Sequence, residues 1–375
     1  MGHPDHLLLP CCCEASCRDL SLLLTCAQSP WMRHPISQYF RCGLPKIPIA
    51  EAELGRAIQS VKAIKVPYGE SFILELRRGA MDAFVALLIS QLPNLESLYP
   101  GKNFTRESRF VGMILRSSVC EPTNRNSGLP TFKCLRDVSA IYFALHPGTR
   151  PRTDTGNIRD VLPLFYLPSV RRIVASIDNP ATFTWPATYP PDPTNLSSLD
   201  LTIIREGSLG HVLSATRGLK ALSWDLFRRD EDNFHADRID LDQIIIDLSH
   251  VQSTLTDLTI SAAKLLPVPI IGNLKPLVGF EALKRLEIPI PSLLGYSPDK
   301  TRFFEEVLPR NLEFLTITDD MLLQWKHEWT SFSLWTKIRV WLTGDWKTYT
   351  PHLWGLNLLL RMKDAQWGPN MKKKA

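Results

Sequence analysis

Two short stretches hold the residue types that metal chemistry uses. In "CCCEASC", residues 11–17, Cys11, Cys12, Cys13 and Cys17 stand close behind His3 and His6, and thiolates with imidazoles are the donors that zinc prefers. Adjacent cysteines cannot all aim at one tetrahedral ion without strain, and this spacing matches no ordinary structural site. In "DEDNFHADRIDLD", residues 230–242, Asp230, Glu231, Asp232, His235, Asp237, Asp240 and Asp242 are dense enough for calcium. The stretch has no glycine at the turn position and no closing glutamate at the EF-hand distance, so it reads as a solvated connection into a helix. The chain has no GxSxG, no P-loop, no HExxH, no GxGxxG after a strand and no pair of CxxC motifs. His211 and His250 sit beside helical leucines and read as surface or cap residues. The expectation is a chain that is not an enzyme, with no catalytic residue, no cofactor, no metal ion and no small-molecule substrate.

A different chemistry is written near the end, where Trp325, Trp329, Trp335, Trp341, Trp346 and Trp354 alternate with Lys326, Lys337, Arg339, Lys347 and His352. Interleaved basic and aromatic residues can stack on single-stranded nucleic acid or anchor a protein partner. The same segment also alternates like a strand: in "SLWTKIRVWL", Leu334, Thr336, Ile338 and Val340 oppose Trp335, Lys337, Arg339 and Trp341. "LWGLNLLLRM" then reads as a terminal helix or strand. The preferred reading is a cap over the end of the fold. Residues 325–375 hold nine Lys or Arg against three acids, so the net charge of +5 is concentrated there.

Behind these residues stands a chain of 375 residues, 44% hydrophobic and 22% charged, long enough for a large core. Its eight cysteines crowd toward the start, which fits a reducing compartment better than a disulfide framework. "MGHPDHLLLP" lacks the basic region of a signal peptide, and no apolar run approaches the length of a membrane span. A cytoplasmic or nuclear protein with no membrane span is expected.

What positions the candidate residues is a repeat. Apolar pairs three apart occur at Leu95 and Leu98, Leu135 and Val138, Val170 and Ile173, Leu196 and Leu199, Leu219 and Leu222, Leu255 and Leu258, Leu283 and Leu286, and Leu312 and Leu315. Another apolar residue follows two positions on at Leu201, Trp224, Ile260, Ile288 and Ile317. LxxLxL describes a turn entering a short strand whose apolar residues share one side by the two-residue period. Such a strand cannot bury that side alone, and parallel stacking with crossovers supplies both hydrogen bonds and core. Several linking stretches read as helical crossovers. "GAMDAFVALLISQLPNL" spaces Ala80, Phe84, Leu87 and Leu88 helically, "TRESRFVGMILRSS" does so with Phe110, Met113 and Ile114, and "TRFFEEVLPRNL" with Phe303, Phe304 and Val307. "IRDVLPLFYLPSV" and "LDQIIIDLSHVQSTL" join them, the latter capped by Asp240. Residues 146–157 and 178–198 read as surface loops, with Trp185 folding back on the scaffold. The fold class expected is α/β, an irregular leucine-rich-repeat-like solenoid with a curved parallel sheet and helical crossovers. Residues 1–69 form an N-terminal helical segment, 70–324 the solenoid and 325–375 the Trp-rich cap and basic tail.

The residues interposed between the strand leucines face outward: Tyr99, Ser139, Val174, Asp200, Ser223, Thr259, Glu287 and Thr316. None is basic, which argues against a phosphate-binding surface. Tyr99, Asp200, Ser223, Thr259, Glu287 and Thr316 are the candidate partner surface, and the partner expected is a protein.

The organisation resembles the leucine-rich-repeat region of the F-box-like proteins of filamentous fungi. The likeness is carried by "MDAFVALLISQLPNLESL", "VLPLFYLPSVRRI", "STLTDLTIS" and "EEVLPRNLEFLTI", over roughly residues 70–320. Ahead of it, "CRDLSLLLTCAQ" resembles the second half of an F-box, with Leu20, Leu23 and Leu24 on one apolar helical face, while the usual opening is reduced to "HLLLP". The resemblance implies repeats that hold a protein substrate, and contact with the Skp-type adaptor of a ubiquitin ligase through Leu20, Leu23 and Leu24. The asparagine ladder of regular leucine-rich repeats is missing, since Ala263 and Pro291 occupy its place in two copies.

Overall fold

A computed structural model of the chain describes residues 47–100, 109–121, 128–140, 158–180, 182–226, 238–262, 269–295, 303–321 and 329–359. The chain opens with helices α1 (Glu51–Ile64), α2 (Gly69–Arg77) and α3 (Met81–Ser90), then strand β1 (Ser97–Leu98) and helix α4 (Arg109–Val119). There follow β2 (Asp137–Ala140), α5 (Ile158–Val161), β3 (Arg172–Ser176), β4 (Ser198–Thr202), α6 (Ser208–Ser214) and β5 (Ala221–Asp225). Next come β6 (Ile239–Asp240), α7 (Leu241–Ser249), β7 (Asp257–Ser261), β8 (Ile270–Ile271), β9 (Arg285–Pro289), α8 (Ile290–Leu294) and β10 (Phe314–Thr318). Helices α9 (Ser331–Thr343) and α10 (Trp346–Tyr349) precede β11 (Gly355–Leu359).

Nine strands form one parallel sheet in the order β1-β2-β3-β4-β5-β7-β9-β10-β11, so each strand pairs with the one laid down before it; β6 and β8 form a separate parallel pair. The cause is local and recurs. The N–H of the first leucine of a copy closes a turn onto the carbonyl three residues back: Leu95 to Leu92, Leu135 to Phe132, Leu196 to Pro193, Leu219 to Thr216, Leu283 to Phe280 and Leu312 to Pro309, at 3.0 to 3.3 Å. The residue after that leucine then hooks onto its counterpart in the preceding copy. Arg136 donates to Glu96 at 2.8 Å, Arg171 to Arg136 at 2.7 Å, Lys220 to Ser197 at 3.0 Å, and Glu313 to Lys284 at 2.8 Å. The second leucine of each pair is thereby carried into lateral register, as Val138 with Ile173, Ile173 with Leu199, Leu199 with Leu222, Leu222 with Leu258, Leu258 with Leu286 and Leu286 with Leu315. All eight pairs are buried to within 1% of full exclusion from solvent. Their leucines join the crossovers in one core.

The same grammar runs once more than the eight sequence pairs. Leu353 N–H closes onto Thr350 at 3.2 Å, Trp354 donates to Glu313 at 3.0 Å, and Leu356 registers with Leu315. Residues 329–359 therefore continue the sheet, with β11 laid against β10. The strand reading of "SLWTKIRVWL" is corrected: it is helix α9. Leu334, Ile338 and Trp341, spaced by four and three, are its buried side chains, and Thr330 closes a capping box with Ser333 at its start.

Other crossovers differ in detail from expectation. In α3 the buried apolar residues are Ala83, Val85, Ala86 and Ile89, while Leu88 is exposed; the helix is apolar nearly all round, so spacing could not single out its core side. Phe303 is exposed, whereas Phe304, Val307 and Leu308 are buried around a single 3-10 turn. Asp240 does cap α7, its Oδ1 accepting from the Asp242 and Gln243 amides at 3.1 Å.

In place of an asparagine ladder, scattered Asp and Asn side chains tie neighbouring connections together. Asp82 accepts from Phe110 N–H at 2.8 Å at the start of α4, and Asp247 accepts from Gly207 N–H at 2.7 Å ahead of α6. Asn179 accepts from Arg205 N–H at 2.7 Å and donates to the Ile203 carbonyl at 3.0 Å. Asp320, three positions after Ile317, accepts from Ala262 N–H at 3.2 Å. Each satisfies a buried or part-buried backbone donor that an irregular connection would otherwise strand.

Candidate functional site

Because strand side chains alternate, the leucine row that fills the core fixes a second face of the sheet. Its first lateral row runs Asp137, Arg172, Ser198, Ala221, Asp257, Arg285 and Phe314. The second runs Ser139, Val174, Asp200, Ser223, Thr259, Glu287, Thr316 and Asn357, in unbroken register from β2 to β11. The structure thus brings five of the six candidate partner residues into one line across the sheet. Tyr99 follows the last residue of β1 and is 36% exposed. Asp200, Ser223, Thr259 and Glu287 are half-buried, but Thr316 is only 7% exposed. At β10 the row sinks below the surface: Thr318 is buried as well.

The face is polar and of mixed sign. Arg285 donates to Asp257 at 2.7 Å, strand to strand. Asp200 has its carboxyl pushed above the usual carboxylate range by burial, with Arg172 and a hydrogen bond to Ser223 acting in the opposite direction. Ser176 and Thr202 pair at 2.6 Å. Such cross-strand pairs hold the side chains upright and leave donors, carboxylates and guanidinium groups along one surface. Arg172 and Arg285 escaped the sequence reading, which considered only the residue between the two strand leucines. The signal was available two positions earlier, since residues two apart on a strand share a face. Asp200 and Asp257 stand beside them, so each guanidinium is matched by a carboxylate on the neighbouring strand.

The loop over residues 178–198 comes to the scaffold by aromatic contact. Trp185 packs edge-on against Phe165 at 5.7 Å and Phe183 at 5.2 Å, and Phe183 stacks on His211 at 5.0 Å. Tyr166 donates to the Tyr189 carbonyl at 2.6 Å. His211 and His250 are exposed, as expected. Toward the end of the chain, Trp329 and Trp341 are buried, the latter stacked on Phe304 at 4.5 Å, so neither offers a ring to a base. Trp354 is exposed.

A cavity of about 30 Å³ lies between α4, α5 and the ends of β1 and β2, lined by Leu98, Val111, Gly112, Val138 and Asp160, and has room for about two waters. Among the described residues no group of three or more His, Cys, Asp or Glu is placed to hold a metal ion, and no helix is long and apolar enough to cross a membrane. His3, His6, the cysteines at 11–17, Leu20, Leu23, Leu24, the acidic residues at 230–237, Trp325 and the lysines at 372–374 lie outside the described residues. No protein-family model matches the chain, and no curated protein matches it.

Proposed function

We propose that this chain is a non-catalytic scaffold that binds another protein across the polar face of its parallel sheet, on an irregular leucine-rich-repeat-like stack. The observation that carries this reading is the unbroken lateral row from Ser139 to Glu287. Apart from Val174 its side chains are polar, all are half-buried, and Asp200 hydrogen-bonds to Ser223 from one strand to the next, on a sheet whose other face already fills the core. A row of this kind presents a ready-ordered surface, so less side-chain entropy is lost when a partner docks. Replacing Ser223 and Glu287 together by Arg puts bulk and opposite charge on that row without touching the core. Co-purification with the full chain as bait is expected to return reproducible partners, and the S223R/E287R chain is expected to lose them while melting as the parent does. Retention of the same partners by the double variant would move the binding surface elsewhere.

The adaptor reading is a separate proposal that rests on the resemblance at Leu20, Leu23 and Leu24. A pull-down of purified Skp-type adaptor by the full chain, abolished by Leu20→Asp with Leu23→Asp, supports a ubiquitin-ligase substrate receptor. Absence of binding by the intact folded chain removes it.

A further inference from the structure

The two ends of the sheet are built differently. At one end β1 is two residues long and Pro100 follows almost at once, a short strand of the kind that discourages further pairing. At the other end β11, Gly355–Leu359, is five residues of "GLNLL" with no charge and no proline. Among the described residues no strand lies beyond it. Its inward leucines register the deficit: Leu356 and Leu358 are only partly buried, whereas their partners Leu315 and Ile317 are fully buried. Gly355 N–H points to the Glu313 carbonyl, so in a parallel ladder Gly355, Asn357 and Leu359 turn their backbone groups to β10. The N–H and C=O groups of Leu356 and Leu358 are left aimed at the open edge.

Helix α9 adds a second surface at the same end. Lys337 Nζ lies 4.8 Å from the Phe303 ring and Trp341 stacks on Phe304, so this side of the helix meets the connection that precedes β10. At 100° per residue Phe332 and Arg339 stand on the opposite side, away from the earlier layers, with Leu342 at its margin. Phe332 is 79% exposed and Leu342 41%.

We infer that β11 is a self-association edge, at which two copies of this chain join their sheets by antiparallel pairing of β11 about a two-fold axis through Asn357. The strand is complementary to itself in that register. Gly355 faces Leu359 of the second copy, Leu356 faces its Leu358, and Asn357 faces its Asn357, so small meets large and no charges are opposed. Leu356 and Leu358 supply the hydrogen bonds, and Asn357 with its counterpart forms the close, non-hydrogen-bonded pair. The leucines, Trp354 and the outer side of α9 offer on the order of 500 Å² of apolar surface per copy. A two-fold pair then buries about 1,000 Å², the lower end of specific interfaces, which fits a dimer of roughly micromolar affinity.

The test uses the full chain. Sedimentation from about 1 to about 100 micromolar is expected to show the monomer passing into a dimer. Asn357 is exposed on the outer face, so Asn357→Lys and Asn357→Asp leave the fold intact while setting like charges opposite each other. Each variant alone is expected to associate roughly tenfold more weakly or worse, and an equimolar mixture of the two to recover the dimer. In the parent chain, hydrogen exchange at the Leu356 and Leu358 amides is expected to slow as concentration rises. A parent monomeric throughout, variants that associate as the parent does, a mixture that recovers nothing, or exchange independent of concentration would each overturn the inference.

Discussion

At the scale of single residues, the position two after the strand leucine shows how one side chain is fitted to one copy. Most copies hold Leu, Ile or Ala there, but Trp224 is fully buried in β5 and donates its indole N–H to the Ile204 carbonyl at 2.9 Å. Ile204 lies beyond the end of β4, next to Ile203, whose backbone is left-handed at φ 76. The tryptophan thus fills volume and also satisfies a carbonyl freed by an irregular turn. Trp224→Phe keeps most of the volume and abandons that acceptor, with an expected loss of about 1–3 kcal/mol in denaturant unfolding; a loss within error would show that water reaches the carbonyl. Asp200 makes a second residue-level case. Burial raises its carboxyl from 3.8, so the native state holds the proton more tightly than the unfolded chain does. Its contribution favours folding at acid pH and is lost as pH rises from 3.8 through the raised value. Asp200→Asn removes that slope while keeping a partner for Ser223. Melting temperatures of the two chains are expected to converge at low pH and to separate, variant above parent, toward neutrality. A parent that gains on the variant as pH rises would mean that Arg172 outweighs burial.

At the scale of elements, helix α9 tests what fixes secondary structure near the end of the chain. Its sequence alternates well enough to read as a strand, yet Thr330 accepts from Ser333 N–H at 3.1 Å and Ser333 returns the bond to Thr330 N–H at 2.8 Å. Thr330→Ala is expected to cost about 1 kcal/mol of unfolding free energy, and a cost near zero would assign the helix start to packing of Trp329 instead. The strands were legible because two signals coincided, a leucine pair three apart and a following apolar residue, and each is answered by one turn and one lateral register. The helices were less legible: α3 is apolar nearly all round, and α9 carries Phe332 and Leu342 outward, so hydrophobic spacing alone named the wrong core side or the wrong element. The lateral row through Asp200, Ser223, Thr259, Glu287 and Thr316 was legible from the same strand period that placed the leucines. Its neighbours Arg172 and Arg285 were legible too, once the face rather than the motif is followed. The Asp and Asn ties at Asp82, Asn179, Asp247 and Asp320 were not, because each answers a backbone donor brought near by a distant connection, and sequence spacing holds no record of that distance.

At the scale of the whole molecule, the strands of the nine-stranded sheet pair in chain order, so the ladder hydrogen bonds of each inner strand go to the two strands beside it. The α9–β11 unit covers Phe304 through Trp341 and pairs the whole length of β10, from Phe314 with Gly355 to Thr318 with Leu359. Deleting residues 325–375 would strip that unit and open the β10 edge, with Leu315 and Ile317 losing cover from Leu356 and Leu358. The truncated chain is expected to melt below the full one and to aggregate more readily, because an unpaired edge with partly exposed apolar flanks recruits other chains. The loss should also be graded along the stack: hydrogen exchange is expected to accelerate most in β10 and β9 and little in β2 and β3, as nearest-neighbour coupling requires. Uniform acceleration across all strands would instead show that the sheet unfolds as one cooperative unit. Unchanged melting would make the segment an appendage, and the basic and aromatic residues within it would then need a role outside the fold.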